Sequence, residues 1–299
     1  MLHKTKLSKK GETMNIANNW KDYEILDMAN GEKLERWGEY YLVRPDPQII
    51  WDKKSNPKLW NKANAYYNRS KTGGGCWDYK TNLPKAWQIK YKNLTFNIKP
   101  MGFKHTGLFP EQAVNWDWMI NKIKNSKREI KVLNLFAYTG GATVACLSAG
   151  ASVCHVDSSK GMVAWAKENV SSSNLQDAKV RYIVDDVIKF VQRETRRGNT
   201  YDAIIMDPPS YGRGTSGEIW QFENNISKLV ELCTKVLTKK PLFFLINSYT
   251  TGISAEVLAN ILKINLSKQK GTISAGEVGL PMTNSKLVLP CGIYAKWEE

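Results

Sequence analysis

The sequence predicts an α/β protein in which a smaller β-rich domain precedes a larger domain built on a doubly wound parallel sheet. Two observations support this fold class. From about residue 130 onwards, short apolar runs alternate with amphipathic stretches, which is the order that βαβ units produce. Several of these runs end abruptly in glycine, proline or aspartate, as strands do where an open α/β sheet binds its ligand. The predicted domains are residues 1–99 and residues 100–299.

The first domain is predicted from short alternating segments separated by turn residues. A polar stretch that ends in three glycines indicates a hinge or a loop that closes over a ligand. We interpret this domain as a substrate-binding or lid domain. In chain order, its predicted elements are strands at 39–44 and 48–51, a polar hinge or loop at 53–75, and a hairpin at 87–99; an amphipathic helix at 111–125 then leads into the larger domain.

The larger domain is predicted from apolar runs long enough for buried strands. The last two runs are predicted to form an antiparallel hairpin that closes the sheet. The predicted strands are 132–137, 152–157, 180–184, 202–207, 241–247, 271–278 and 288–297.

A glycine turn follows the first of these strands. The apolar run ends in Tyr138-Thr139-Gly140-Gly141 and continues as a helix, so its backbone amides and the helix N-terminus favour a nucleotide-like ligand. Asp157 ends the next strand, where a carboxylate accepts ribose hydroxyls. The third glycine of a dinucleotide fingerprint would fall at Thr143, which argues against NAD and FAD.

Acidic residues end the next two strands as well. Asp185 and Asp186 follow the third strand, where a carboxylate can accept the exocyclic amine of adenine. The fourth strand runs into Asp207-Pro208-Pro209-Ser210-Tyr211, and the prolines end the strand because they cannot donate ladder hydrogen bonds. This loop offers free carbonyls, one carboxylate and an aromatic ring that can stack on a base.

These motifs resemble those of class I S-adenosylmethionine-dependent methyltransferases, and more narrowly a family similar to 23S ribosomal RNA methyltransferases. The resemblance covers roughly residues 100–297, including the glycine turn, the Asp-Pro-Pro loop, His105–Gln112 and Leu289–Gly292. It implies a seven-stranded Rossmann-like methyltransferase sheet with strand order 3-2-1-4-5-7-6. It also implies S-adenosylmethionine as the cofactor.

Site residues follow from the resemblance, position by position. The implied catalytic residues, facing the methyl group and the target base, are Asp207, Pro208 and Tyr211. The implied cofactor-binding residues are Phe136, Tyr138, Gly140, Asp157, Asp186 and Asp207.

The sequence departs from cytosine-C5 enzymes at one position. Those members of the family need a cysteine in the loop after the fifth strand, and Ser248 occupies that place. A serine without an adjacent base is a poor nucleophile, so a nitrogen target is favoured over cytosine C5. Cys291 is the alternative thiol, although a buried packing role is favoured for it. Ser210 also separates the prolines from the aromatic residue, unlike in adenine-N6 enzymes.

The charge distribution favours RNA as the partner, and the resemblance implies that this RNA is ribosomal. The formal net charge is +15, and residues 51–130 carry 16 basic against 5 acidic side chains. Such a block fits contact with a phosphate backbone. Of the aromatic residues nearby, Trp60, Tyr66 and Tyr67 are predicted to contact bases, whereas Trp37, Trp51 and Trp87 are predicted to lie in the core.

Other classes of protein are disfavoured. Five cysteines without Cys-x-x-Cys spacing and only three histidines indicate free thiols in a reducing compartment and no metal site. No apolar run reaches ~18 residues, so a soluble cytoplasmic protein without a membrane partner is expected. The leading hypothesis is an RNA base methyltransferase. The alternatives are a methyltransferase for a protein or small molecule, and a non-catalytic RNA-binding module on the same fold.

Overall fold

The computed structural model describes residues 14–70, 74–214 and 217–299. The strands found there are β1 (Met14–Ile16), β2 (Tyr23–Ala29), β3 (Glu32–Trp37), β4 (Tyr40–Pro45), β5 (Ala65–Arg69), β6 (Gly75–Tyr79), β7 (Trp87–Tyr91), β8 (Leu94–Ile98), β9 (Lys131–Leu135), β10 (Ser152–Asp157), β11 (Val180–Val184), β12 (Ala203–Met206), β13 (Tyr211–Arg213), β14 (Ile219–Gln221), β15 (Phe243–Ser248), β16 (Thr272–Pro281) and β17 (Val288–Glu298). The helices are α1 (Pro57–Trp60), α2 (Ala113–Asn125), α3 (Gly141–Ser148), α4 (Lys160–Ser172), α5 (Val187–Arg197), α6 (Phe222–Thr234) and α7 (Ala255–Asn265), and Pro110–Gln112 forms a 3-10 turn.

The larger sheet confirms the predicted fold class. Its strand order is β1-β16-β17-β15-β12-β9-β10-β11, which contains the expected order 3-2-1-4-5-7-6 with β1 added at one edge. Strands β9, β10, β11, β12 and β15 pair in parallel, and β17 pairs antiparallel with both β15 and β16. The carboxyl ends of the parallel strands therefore meet at one edge, where ligands bind in such sheets.

Burial explains why the central strands were recognisable in the sequence. Every residue of β12 and of β15 is buried; β12 is apolar throughout, and β15 is apolar up to its last two residues, Asn247 and Ser248. The predicted hairpin of the last two strands is also confirmed. The predicted helix at 111–125 begins at Ala113, after the 3-10 turn.

The first part of the chain forms a second sheet, with strand order β2-β3-β4-β5-β6. Two predictions there were wrong. Residues 48–51 form no strand, because their backbone makes turn-like bonds and no ladder: the N–H groups of Gln48 and Ile49 donate to Asp46, and two carbonyls of the segment accept from the β2–β3 turn. The stretch 53–75 is not a simple hinge, since it contains α1, β5 and the first residue of β6. Residues 71–73 of the glycine-rich run lie outside the described residues.

The hairpin β7–β8 is confirmed and packs on the larger domain. The backbone N–H of Asn97 donates to Asn169 in α4 at 2.8 Å, and that of Thr95 donates to Ser173 at 3.0 Å. Strand β1 also joins the large sheet. Both parts of the chain thus touch at several places, and the division at residues 99 and 100 stays a prediction.

The second sheet lies next to the large sheet, at the edge where the carboxyl ends of the parallel strands meet. The tip of the β16–β17 hairpin reaches β2, where the backbone N–H of Thr283 donates to the Ile25 carbonyl at 2.8 Å. The Thr283 hydroxyl also donates to Glu24 at 2.6 Å. These bonds place β2, β3 and β4 against the edge where the predicted site residues collect. In the described part of the chain, no helix is both long enough and apolar enough to cross a membrane.

Candidate active site

A cavity of about 510 Å³ lies between the second sheet and the carboxyl edge of the large sheet. One wall comes from strands β2 to β4 and the loop after them, and another from residues 104–111. The large sheet contributes the ends of β9, β10, β12 and β15. The predicted site residues that line this cavity are Phe136, Tyr138, Asp157, Asp207 and Pro208.

The turn after β9 has a strained backbone. Phe136 and Tyr138 have φ angles of 52° and 50°, in the left-handed region that bulky side chains seldom adopt. The turn is held by hydrogen bonds to β10, from the Ala137 N–H to the Val156 carbonyl at 3.0 Å and from the Tyr138 N–H to Asp157 at 2.8 Å. Backbone strain of this kind is maintained at ligand sites by the surrounding structure.

Gly140 sits at the start of α3 with a φ of 82°. A Cβ at this position would lie 2.9 Å from the Cβ of Ala166, so helix α4 packs against the bare backbone. Gly140 itself does not line the large cavity. Its neighbours Thr139 and Gly141 line a smaller space of about 50 Å³ behind it. The structure therefore shows Gly140 shaping the turn, and any contact with a ligand would be made by its backbone.

Asp157 is positioned by two backbone amides. One carboxylate oxygen accepts the Tyr138 N–H at 2.8 Å, and the other accepts the Ser159 N–H at 2.8 Å. Burial raises the pKa of the carboxyl group, while these two bonds act in the opposite direction. Each oxygen keeps a second lone pair, so both can still accept a hydroxyl of a diol.

Asp186 lies at the same edge but outside the cavity. Its carboxylate caps α5 by accepting the Lys189 N–H at 2.9 Å. The neighbouring Asp185 forms an ion pair with Arg193, and its N–H donates to the Asp157 carbonyl at 3.1 Å. The cap thus uses one oxygen of Asp186.

Asp207 is the most unusual group in the cavity. Its Oδ1 is buried and has no hydrogen-bond partner among the described residues. Burial, and next the nearby Glu111, raise the pKa of the Asp207 carboxyl to about 7. Leaving a buried carboxyl oxygen unpaired costs stability, so an unpaired oxygen in a cavity points to a ligand. The following loop is rigid, since Trp220 donates to the Pro209 carbonyl at 2.7 Å.

A buried polar network beside Asp207 was missed by sequence reasoning. The Tyr249 hydroxyl donates to Glu111 at 2.9 Å and accepts from the side-chain amide of Gln112 at 2.8 Å. The side-chain amide of Asn115 continues the network to Gln112 and to Asn247, at 2.9 and 3.0 Å. Burial raises the pKa of Glu111 and that of Tyr249. The segment His105–Gln112 was the only sequence signal, and it gave no role to Glu111.

Tyr211 and Arg213 are not brought into the cavity. Both lie on strand β13, whose hairpin with β14 places Gly212 opposite Trp220. Gly212 packs on Pro209, whereas Tyr211 is 51% exposed. Tyr211 therefore lies outside the cavity that Asp207 lines.

The two candidate nucleophiles are also located. Ser248 is buried, and its hydroxyl accepts the Thr250 N–H at 3.1 Å. Cys291 lines the cavity, and its thiol donates to the Leu289 carbonyl at 3.4 Å. Burial raises the pKa of Cys291 well above its usual value, so the thiol stays protonated at neutral pH.

Two of the aromatic residues predicted to contact bases are core residues instead. Trp60 is 3% exposed and donates to Asp27 at 2.8 Å, and Tyr67 is 5% exposed. Both aromatic rings are buried against the second sheet. The neighbouring lysines in the sequence gave no sign of this burial. Tyr66 is partly buried and donates to the Trp60 carbonyl at 2.6 Å. Trp37 is fully buried, as predicted.

The family profile described as S-adenosylmethionine-dependent methyltransferase matches residues 64–256 of this chain. A solved structure, described as the SAM-dependent methyltransferase from Agrobacterium tumefaciens, is 34% identical, covers 99% of both chains and superimposes with a TM-score of 0.91. This chain therefore belongs to the S-adenosylmethionine-dependent methyltransferase family.

Curated relatives match over shorter segments. A ribosomal RNA large subunit methyltransferase K/L of Shewanella frigidimarina is 31% identical over 48% of this chain and 20% of its own length. A ribosomal RNA large subunit methyltransferase I of Cronobacter sakazakii is 40% identical over 27% of this chain and 21% of its own length. The matched segments thus span about a fifth of these relatives.

The cofactor of the family is S-adenosylmethionine, and the site geometry fits it. Asp157 has free lone pairs for the two ribose hydroxyls, and the strained turn next to it offers aromatic surface from Phe136 and Tyr138. Asp207 lines the same cavity.

Proposed function

We propose that this enzyme methylates a nitrogen atom of an RNA base, and that ribosomal RNA is its substrate. The Asp207 carboxyl group supports the reaction type, because it lines the cavity, has a pKa raised to about 7 and keeps an oxygen without a partner among the described residues, so that it can accept an N–H group and its proton. The names of the curated relatives and the basic block at residues 51–130 support the substrate.

The bound cofactor would supply an electrophilic methyl group on a sulfonium. Asp207 and the Pro208 carbonyl would hold the target N–H so that its lone pair points at this methyl group. Ionised Asp207 would then accept the proton that nitrogen loses. The protein would thus contribute mainly the orientation of the target and one proton acceptor. The cavity would keep water away from the charge that develops on the target nitrogen.

Cofactor contacts are assigned by the same proposal. Asp157 would hold the ribose, Phe136 and Tyr138 would contact the cofactor with their rings and backbone, and Gly140 would shape the turn around it. Asp186 would receive the adenine amine through the oxygen that the α5 cap leaves free. Tyr211 would stack on RNA at the cavity mouth, because its side chain is exposed there.

Exposed cations provide the RNA-binding surface in this proposal. In residues 53–69 the exposed basic side chains are Lys53, Lys58, Lys62 and Arg69. They belong to the second sheet and the segment around α1, which supports a role of residues 1–99 in substrate binding. Phosphate contacts of this kind are independent of sequence and sensitive to salt.

A nucleoside analysis tests the proposed function. Total RNA from a strain lacking the gene should lose one methylated nucleoside by mass spectrometry, and the purified enzyme should restore it with S-adenosylmethionine. Methyl transfer to proteins or small molecules of the same lysate, with none to RNA, would instead favour the alternative substrates. Binding of RNA without any transfer would favour the non-catalytic alternative.

The nitrogen target is tested separately at Cys291. Cysteine-dependent C5 methylation requires a thiolate, and burial raises the pKa of this thiol, so Cys291→Ser should keep most of the activity. RNA that contains 5-fluorocytidine should form no covalent adduct. Loss of activity in Cys291→Ser together with a trapped adduct would establish a cytosine-C5 enzyme.

A further inference from the structure

We propose that Lys33, Arg44 and Lys104 form an anion-binding subsite on the wall of the cavity contributed by the second sheet, and that it holds a phosphate of the nucleotide being methylated. The proposal rests on RNA as the substrate. It gives the second sheet a direct part in holding the target, in addition to surface binding.

The three cations are brought together by strand register. Lys33 on β3 is paired directly with Arg44 on β4, so their side chains lie next to each other on one face. The Arg44 guanidinium donates to the Lys104 carbonyl at 3.1 Å, which ties the loop after β8 to the same place. All three side chains line the cavity.

Arg44 is held rigidly before any ligand arrives. Its guanidinium forms a two-pronged pair with Glu35, at 2.6 and 2.7 Å, and lies 5.0 Å from the centre of the Trp37 ring. Glu35 is fixed in turn by the Tyr23 hydroxyl at 2.7 Å. An arginine fixed in this way loses little freedom when it binds an oxyanion with its remaining N–H groups.

The cations are not fully neutralised. Lys33 pairs with Asp46 at 3.0 Å and lies 3.8 Å from Glu35. In the described part of the chain no carboxylate is within ion-pair distance of Lys104, whose ammonium reaches only the Pro45 carbonyl at 3.4 Å. The carboxylates of Glu35, Asp46 and Glu111 act on Lys33 and Arg44, whereas the Lys104 ammonium is the one of the three cations without an ion pair to a described residue.

The charges in this cluster leave Lys104 as the cation open to an anion. Burial lowers the pKa of Lys104; Asp46 opposes this, and the neighbouring Lys33 and Arg44 lower the pKa further. At Lys33 and Arg44 the effect of burial is outweighed by the nearby carboxylates, chiefly Glu35, so both pKa values are raised. Burial and the three cations lower the pKa of His105 to about 4, so this ring is neutral. Asp157 and Asp207 line the same cavity, so a ligand that carries both an anionic group and an N–H fits its residues.

Binding of small probes tests the subsite without a methylation assay. The full-length enzyme saturated with S-adenosylhomocysteine would be titrated with cytidine, cytidine 5′-monophosphate and inorganic phosphate, followed by NMR. Lys104→Gln is the main variant, because it breaks no ion pair. Lys239→Gln is the matched control, since Lys239 is exposed and outside the cavity. Affinity for S-adenosylhomocysteine is measured in parallel for every protein.

Lys104→Gln should lower the affinity for cytidine 5′-monophosphate and for inorganic phosphate on the order of tenfold, which is the effect of one charge-assisted hydrogen bond. The affinities for cytidine and for S-adenosylhomocysteine should stay unchanged. Weaker S-adenosylhomocysteine binding with unchanged phosphate binding would assign the cations to the cofactor carboxylate and refute the subsite. Unchanged binding of every probe would also refute it. Phosphate binding that depends on Lys104, in an enzyme that transfers no methyl group to RNA, would keep the subsite and reject the proposed function.

Discussion

Asp207 carries an energetic cost that only function explains. The fold buries its carboxyl at the end of β12 and leaves Oδ1 without a partner among the described residues. Burial and Glu111 favour the protonated form, whereas the proposed reaction needs the ionised form as proton acceptor. A carboxyl group with a pKa near neutrality is present in both the protonated and the ionised form at physiological pH.

We predict that turnover follows the ionisation of Asp207. Because the pKa of this carboxyl is about 7, the rate should rise with pH through about pH 7 and then level off. Asp207→Asn should lower turnover by orders of magnitude and leave cofactor affinity nearly unchanged, because Asp207 acts on the target. Single-turnover rates between about pH 5.5 and 8.5 check this. An acidic limb that persists in Asp207→Asn would show that another group titrates.

The same residue should limit stability at high pH. The folded-state pKa of Asp207 lies above its ordinary value, so the stability gained from the protonated form is complete below about pH 4 and is lost as pH rises through about 7. Asp207→Asn should therefore gain in relative stability between pH 5 and pH 8, by roughly 2–3 kcal/mol. Thermal unfolding at the two pH values measures the change. An equal effect at both values would contradict it.

Asp157 has a separate role in the proposal, at the cofactor. Asp157→Asn removes acceptor capacity for the ribose hydroxyls and for one of the two turn amides, and should cost roughly 1–3 kcal/mol of S-adenosylhomocysteine affinity. Calorimetry with Asp177→Asn as the matched control, an exposed aspartate outside the cavity, isolates the effect. NAD should give no binding signal with the unmodified enzyme. Micromolar NAD affinity would overturn the adenosine-site assignment.

Among the elements, the turn from β9 to α3 couples packing to cofactor binding. Gly140, where the turn meets α3, allows α4 to approach closely. Asp157 at the end of β10 accepts the Tyr138 N–H of the turn. A change of packing at Gly140 is therefore expected to move the same backbone that contacts the ligand.

Two glycines with similar backbones separate strain from packing. Gly140 has a φ of 82° and Gly150 a φ of 91°, but a Cβ at Gly140 would lie 2.9 Å from Ala166 whereas nothing lies within 4 Å at Gly150. Both alanine variants should lose roughly 1–2 kcal/mol from backbone strain. Gly140→Ala should lose more of the free energy of unfolding than Gly150→Ala, as measured by chemical denaturation. It should also bind the cofactor more weakly, as measured by calorimetry. Equal effects of the two variants would argue against a packing role for Gly140.

At the scale of the whole molecule, charge and topology point to one face. The formal net charge is +15, and the exposed cations of residues 53–69 belong to the part of the chain that adjoins the cavity. The amino ends of β15 and β16 lie at the opposite edge of the large sheet, because these strands run in the same direction. Other exposed lysines precede these two strands in the sequence, and they serve as a control for the effect of charge on RNA binding.

Charge reversal on the two faces should have unequal effects on RNA. Changing Lys53, Lys58, Lys62 and Arg69 to glutamate should weaken RNA binding strongly and flatten its salt dependence, with cofactor affinity unchanged. The same change at the exposed Lys239, Lys240, Lys268 and Lys270 should have much less effect. Gel-shift titrations at several salt concentrations measure both. Equal losses would indicate nonspecific attraction by net charge alone.

The sequence by itself determined the large sheet and the candidate residues along it. Strands β9, β10, β11, β12 and β15 are apolar runs, and the turn glycines and aspartates follow them within a few residues, so local pattern was sufficient. In the second sheet, β2 and β3 were missed because charged residues such as Asp27 and Glu35 face inward there and interrupt the alternation.

Only the tertiary structure decided which distant groups share the cavity. Gln112 and Tyr249 bond across 137 positions of sequence, and Lys33 and Arg44 reach the cavity from a different sheet. The same long-range packing buried Trp60, left Tyr211 exposed and raised the pKa of Asp207 and of Cys291. Burial and electrostatic coupling depend on neighbours that come together only when the chain folds, so no local pattern contains them.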